Sequence, residues 1–195
     1  MQLSTADHAF ITGGASGIGL AIADALARRG VQVTIADINR DSLAEVLVSR
    51  GNAFHGVVLD VRDREQWARA KAEAEAALGP VTILVNNAGI APDGLQLADS
   101  MPESFERIIG INFMGVYNGI VTFGAGIREQ GRGYILNVAS MAGLSSERAT
   151  AGAYSASKYA VVSLSETLRV EMAPHGVGVS VMCPGLVTTN LPENT

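Results

Sequence analysis

The sequence holds a single cysteine, Cys183, and its three histidines stand far apart, at positions 8, 55 and 175. One thiol cannot close an internal disulfide, and scattered imidazoles make no metal-ligating constellation, so neither a cross-linked scaffold nor a metal centre is expected. Charge is scarce as well, at 17% of residues against about 25% in an ordinary domain. The net charge of −5 leaves no basic patch for phosphates, which excludes nucleic acid as an expected partner. No uninterrupted run of about 18 apolar residues is present, so no membrane span is expected. The leading MQLSTADHAF lacks the basic stretch that opens a secretory signal. A soluble cytoplasmic protein is the expectation. With so few charges, either a large core or a face covered by a second copy must account for the apolar residues.

What is present is an alternation. Short β-branched runs at 8–12, 31–36, 54–59, 81–86, 134–139 and 177–182 read as strands. Helical patterns fill 17–29, 40–49, 64–78, 112–129 and 154–173. Nearly continuous apolar strands suit a parallel sheet buried on both faces. The alternation implies right-handed βαβ units, hence an α/β, Rossmann-type doubly wound parallel sheet with helices on both faces. Neither a linker nor a repeat divides residues 1–195, so one domain is expected.

The first strand runs into ITGGASGIG, where Gly13, Gly17 and Gly19 stand at a strand-to-helix turn. Glycine there permits a tight turn and lets the backbone approach a pyrophosphate at the helix N-terminus, although a plain βα turn meets the same pattern. Asp37 closes the second strand, placed to accept hydrogen bonds from ribose hydroxyls and to repel a 2′-phosphate; an ordinary helix cap is the alternative. NAD is expected over NADP, with Arg40 three residues on as the cation that favours the latter.

The chain has only two lysines, and one of them, Lys158, follows Tyr154 by four residues in GAYSASKYAVVSL. Positions i and i+4 share a helix face, so phenol and ammonium can enter one site. A free phenol, with a pKa of about 10, is a poor base near neutrality. A lysine charge about 5 Å away at an effective dielectric near 20 supplies roughly 3.3 kcal/mol toward the phenolate. The spacing points to a lysine-assisted acid/base.

Quoted in order, TGGASGIG (12–19), LDV (59–61), NNAG (86–89), Asn112 in GINFMG, Ser140 in NVAS, YSASK (154–158) and PGLVTT (184–189) resemble the short-chain dehydrogenase/reductase family. The resemblance implies an NAD-dependent oxidoreductase interconverting a secondary alcohol and a ketone. It implies Tyr154 as catalytic acid/base, Lys158 as its electrostatic support and ribose ligand, Ser140 as the donor to the substrate oxygen, and Asn112 at a helix kink that holds a proton-relaying water. It implies cofactor contacts at Gly13, Ser16, Gly17, Ile18, Gly19, Asp37, Ile38, Asp60, Val61, Asn87, Ala88, Gly89, Pro184, Gly185, Val187 and Thr189. Bland alternatives remain for single residues: Ser140 and Asn112 as caps, Pro184–Gly185 as a plain turn.

Ser140 and Tyr154 lie fourteen positions apart, one more than the family's usual spacing, which the loop between them absorbs. Family members run longer, so the final strand and the substrate-covering segment are expected to be absent here. Segments 108–123 and 170–190 resemble the bacterial Cα-dehydrogenases that oxidise benzylic alcohols of lignin-derived aryl ethers. A small-molecule substrate and a homodimer or homotetramer are implied. A dinucleotide-binding sensor without chemistry, and a lyase or epimerase on the same fold, are the rival readings.

Overall fold

The structure, a computed structural model, describes residues 4, 7–146, 149–185 and 187. Six strands, β1 (His8–Thr12), β2 (Gln32–Asp37), β3 (His55–Val58), β4 (Ile83–Asn86), β5 (Gly133–Val138) and β6 (Val177–Met182), form one parallel sheet in the order β3-β2-β1-β4-β5-β6. Every residue of β1 is buried, as its place at the centre of a sheet covered on both faces requires. Among the described residues six helices return the chain between strands: α1 (Gly17–Ala27), α2 (Arg40–Arg50), α3 (Arg64–Leu78), α4 (Pro102–Ile109), α5 (Gly115–Glu129) and α6 (Gly152–Met172). The starts of α2 and α3 are set by side chains, since Asn39 and Asp63 each accept from two amides of the first turn.

Two cores flank the sheet. On one side Phe10 meets Phe123 at 4.8 Å and Trp67 at 5.9 Å between ring centroids, and α5 and α6 add Ile120, Ile127, Val161 and Leu168. On the other side α1 and α2 cover Ala9, Ile11, Val33 and Ile35 with Ala23, Leu43 and Val46. Trp67 is fully buried packing, and its indole N–H donates to the Val61 carbonyl at 2.9 Å, which pins the turn after β3 to α3.

One helix differs from the expected 112–129. Helix α4 begins at Pro102, with proline in the first turn, and passes through a widened π-turn (Gly110–Met114) into α5. Helix α4 is only eight residues long, with Phe105, Ile108 and Ile109 as its apolar positions, a stretch too short to read as a separate helix from periodicity. By length and composition the resulting helix Pro102–Glu129 is apolar enough to cross a membrane, a property masked in the sequence by interspersed glycine, asparagine and threonine. Its Val116, Phe123 and Ile127 are instead buried in the core on the sheet.

Candidate active site

All strands point the same way, so their C-terminal ends share one rim, and the rim opens into a cleft of about 530 Å³. In sheet order the residues at or just beyond the strand ends are Asp60, Asp37, Gly13, Asn87, Ser140 and Pro184, and all six line the cleft. At the centre, Gly13 has φ +61°, in the left-handed region that favours glycine. A Cβ on Gly13 would approach Asn87 Nδ2 to 2.9 Å and the Ala88 Cα to 3.0 Å. A Cβ on Gly19 would overlap the Gly13 carbonyl oxygen. The glycines are therefore demanded by close backbone approach. Asn87 Nδ2 donates to the carbonyls of Thr12 (2.9 Å) and Gly13 (3.1 Å). Thr12 Oγ1 accepts from the amides of Asn87 (3.0 Å) and Ala88 (3.1 Å). Thr12 and Asn87 thus lock the β1 and β4 loops together across the break in strand order.

Beside this loop, the Asp37 carboxylate accepts from the amides of Ala15 (3.2 Å) and Asn39 (3.0 Å). It occupies two donors that would otherwise attract an anion. Farther along, the Arg62 guanidinium holds the Asp60 carboxyl below the usual carboxylate range.

The other end of the cleft is built on α6. Tyr154 lines the cleft, half-buried, and Lys158 is 4% exposed. The ammonium donates to the Val138 carbonyl at 3.1 Å and stands 5.6 Å from the Tyr154 ring centroid. Burial pushes Lys158 down to about 8, and Cys183 opposes the shift. Asn112 is fully buried inside the π-turn, where Oδ1 accepts from the Ile90 amide (2.8 Å) and Nδ2 donates to the Ile90 carbonyl (3.0 Å). The expected kink at Asn112 is this turn. A Cβ on Gly89 would reach Asn112 Oδ1 at 3.2 Å and Lys158 Nζ at 3.5 Å, so the NNAG loop packs directly on both. Ser140 Oγ accepts from the Ala142 amide at 3.2 Å, capping the short turn Met141–Gly143. It is therefore a cap, as one reading had it, yet accepting that bond leaves its hydroxyl proton free to donate into the cleft.

Lys158 carries a pH signature. Burial holds its pKa at about 8 in the fold, against the ordinary lysine value of 10.5. Between those values the unfolded chain binds more protons, so this residue's contribution to stability rises with pH, by up to about 1.4 kcal/mol per unit. The wild-type minus Lys158→Met difference in unfolding free energy is expected to climb from pH 8 to 10 in chemical denaturation. A flat difference would show that the ammonium is not desolvated.

Of the residues expected at the site, Gly13, Ser16, Gly17, Ile18, Asp37, Ile38, Asp60, Val61, Asn87, Ala88, Gly89, Ser140, Tyr154, Lys158, Pro184, Gly185 and Val187 line this one cleft. Gly19 and Asn112 stand behind its wall as supports, and Thr189 lies outside the described residues. Thr12, Asn39, Arg62 and Arg107 were not foreseen. Arg62 and Arg107 line the cleft; Thr12 acts on residues 75 positions away, which no local pattern reveals.

A parallel sheet with a glycine loop at its switch point and a ligand cleft beyond the strand ends defines a nucleotide-binding α/β protein of the doubly wound class. More narrowly, the chain belongs to the short chain dehydrogenase family, whose sequence profile matches residues 7–195. It is 40% identical over 190 residues to a C alpha-dehydrogenase of Sphingobium sp. (strain NBRC 103272 / SYK-6), covering 95% of this chain and 62% of that protein. It is 35% identical over 185 residues to a 3-alpha-(or 20-beta)-hydroxysteroid dehydrogenase of Mycobacterium tuberculosis, covering 95% and 70%. Among solved structures, a short chain dehydrogenase/reductase from Burkholderia phymatum in complex with NAD superposes with a TM-score of 0.91 at 36% identity, covering 98% of this chain and 69% of that one. The chain thus spans less than two thirds of the Sphingobium dehydrogenase it matches.

Proposed function

We propose that this chain is the dinucleotide-binding domain of an NAD-dependent oxidoreductase that interconverts a secondary alcohol and a ketone. The observation that carries the reading is the convergence of Ser140, Tyr154 and Lys158 at one end of a cleft whose other half holds the glycine loop and Asp37. The residues present fit a dinucleotide. Gly13, Ser16, Gly17 and Ile18 line the cleft where α1 presents its N-terminus, the position a pyrophosphate needs, and the absence of a Cβ at Gly13 and Gly19 keeps that loop packed against Asn87 and Ala88. Gly13, Ser16, Gly17 and Ile18 would hold the phosphates, Asp37 the adenosine ribose, and Lys158 with Asn87 the second ribose.

When bound, the nicotinamide supplies the acceptor or donor of the hydride. The chain's own residues manage the proton. Tyr154 takes it from the alcohol, or returns it to the ketone, at its hydroxyl. Ser140, its oxygen fixed by the Ala142 amide, donates to the substrate oxygen and orients it. Lys158 places its charge under the phenol, and Asn112 holds Ile90 and Gly89 so that Lys158 keeps its position.

The similarity to the C alpha-dehydrogenase and the hydroxysteroid dehydrogenase supports a bulky apolar alcohol. So do the exposed side chains of Met141 and Leu144 after Ser140, Leu97 beside the start of α6, and Val187 on the cleft wall. A benzylic secondary alcohol is the substrate class this favours. The same reading carries a homodimer or homotetramer, supported by exposed Tyr117, Val121, Tyr159 and Val170 on α5 and α6, and a cytoplasmic location, supported by the lone thiol.

Calorimetric titration tests the cofactor. NADH is expected to bind at least tenfold tighter than NADPH, because a 2′-phosphate would face the Asp37 carboxylate and find its nearest amide donors taken. Asp37→Ser is expected to erase most of that preference. Preference of the wild type for NADPH would overturn the assignment of Asp37.

A further inference from the structure

The short turn Met141–Gly143, which follows Ser140, meets α6 at Lys158. Gly143 is the buried residue of that turn. A Cβ built on it would lie 2.7 Å from the Lys158 carbonyl oxygen, 2.8 Å from the carbonyl carbon and 3.2 Å from the Lys158 Cβ. The two nearest atoms are helix backbone, which no rotamer change moves aside. A relaxed carbon-to-oxygen contact spans about 3.3–3.6 Å, so alanine here must part the turn from α6 by roughly 0.6–0.9 Å.

The same lysine is gripped a second time from the same stretch of chain. Its ammonium donates to the Val138 carbonyl at 3.1 Å, the one hydrogen bond it makes among the described residues. Val138 and Gly143 thus hold the side-chain end and the main-chain end of a single residue. The segment between them is itself braced. Gly143 donates its amide to the Ser140 carbonyl (2.8 Å), Met141 donates its amide to the Pro184 carbonyl (2.9 Å), and Ala142 donates its amide to Ser140 Oγ (3.2 Å). A turn braced in this way passes an added methyl group on to α6 rather than absorbing it.

We propose that Gly143 is a positioning residue for Lys158: its bare Cα seats the turn after β5 on the α6 backbone, and that seat keeps the ammonium on the Val138 carbonyl. A displacement of the size alanine demands carries the ammonium out of hydrogen-bond reach of Val138. Water then enters beside it, and Ser140 moves relative to Tyr154. The value of this seat to a reaction rests on the acid/base role proposed above for Tyr154; the packing itself does not.

The chain has two lysines, Lys71 and Lys158, so lysine isotopically labelled at Cε gives one resonance for each, and NMR titration of the full chain reads the ammonium directly. In the wild type burial holds Lys158 at about 8. In Gly143→Ala it is expected to titrate about one pH unit higher as water returns, which raises its protonated fraction at pH 9 about fivefold; Lys71 stays where it was. A role in stability alone would lower Tm and leave the Lys158 midpoint unmoved. Ala142→Gly, which loosens the same turn without adding an atom, is the variant to read if Gly143→Ala does not fold, and its midpoint is expected to move the same way by about half as much. An unmoved midpoint in folded Gly143→Ala, or in Ala142→Gly where the first does not fold, overturns the proposal. Titration of the same samples with NADH keeps the two readings apart. A wild type that binds NADH, beside variants whose Lys158 midpoint does not move, overturns the role of Gly143 alone. A midpoint that moves in a chain that never binds NADH upholds that role and overturns the oxidoreductase reading.

Discussion

Tyr154→Phe is expected to bind NADH within about twofold of the wild type and to lose turnover by a factor of roughly 10²–10⁴, the span that a positioned proton donor or acceptor supplies. The two effects separate because the hydroxyl does no structural work. Among the described residues it makes no hydrogen bond, whereas the Tyr154 main chain is fixed by the Ser157 hydroxyl donating to its carbonyl at 2.6 Å. The ring packs with Ile90, Ile108, Ile111 and Ala153, contacts that phenylalanine keeps. Stopped-flow measurement with a panel of secondary benzylic alcohols, beside a direct titration of NADH, reads both quantities. Near-normal turnover would remove Tyr154 from the chemistry and leave Ser140 as the group to pursue. Lost cofactor binding would mean that the hydroxyl positions the dinucleotide.

The second large effect concerns the phosphate loop. Gly19→Ala places a methyl group on the Gly13 carbonyl oxygen and 2.5 Å from Asn87 Nδ2. Neither neighbour is a loose side-chain tip: one is backbone, and the other is tied to two carbonyls of the same loop. The loop must shift or α1 must tilt, which costs about 3 kcal/mol, or roughly 6–12 °C in Tm for a chain of this size. Dinucleotide affinity should fall at least a hundredfold, because the displaced loop is the part proposed to meet the pyrophosphate. Gly126→Ala on α5 is the matched control. Its new methyl group meets only Lys71 Nζ, at 3.9 Å, and alanine is the better helix former by 0.5–1 kcal/mol or so. A Tm that rises for Gly126→Ala and collapses for Gly19→Ala would separate close approach from a general need for glycine.

Much of this architecture could be read before any coordinate was known, and the gaps have physical causes. Strands at 8–12 and 177–182 end where expected because Thr12 closes the apolar run of β1 and Pro184 follows β6 two residues on, and α3 spans 64–78 because Asp63 caps its start while Gly79, at φ +83°, ends it. Strand β2 sits one residue late, at Gln32–Asp37, since pairing Asp37 with Val58 extends it past the last apolar position. Helix α4 was invisible for a different reason: at eight residues it is shorter than the stretch over which helical periodicity can be read. At the site, residues chosen by type, such as a glycine at a turn or a tyrosine one turn from a lysine, came together in one cleft. Those that act through distant contacts did not disclose themselves. Thr12 gains its part only when β4 arrives beside β1.

The adjacency of β1 and β4 also sets a timetable for synthesis. Strands β1, β2 and β3 are neighbours in both sequence and space, so the first third of the chain can pair as it emerges. The second edge of β1, however, matches residues 83–85 of β4, and at about 5–20 residues per second those residues arrive some 4–15 s after β1 itself. For that interval the most buried strand of the finished protein, apolar at Ala9, Phe10 and Ile11, has one row of backbone donors and acceptors without a mate. The glycine loop after β1 is therefore born next to an open seam, and Asn87 closes that seam as it ties the loop to β4.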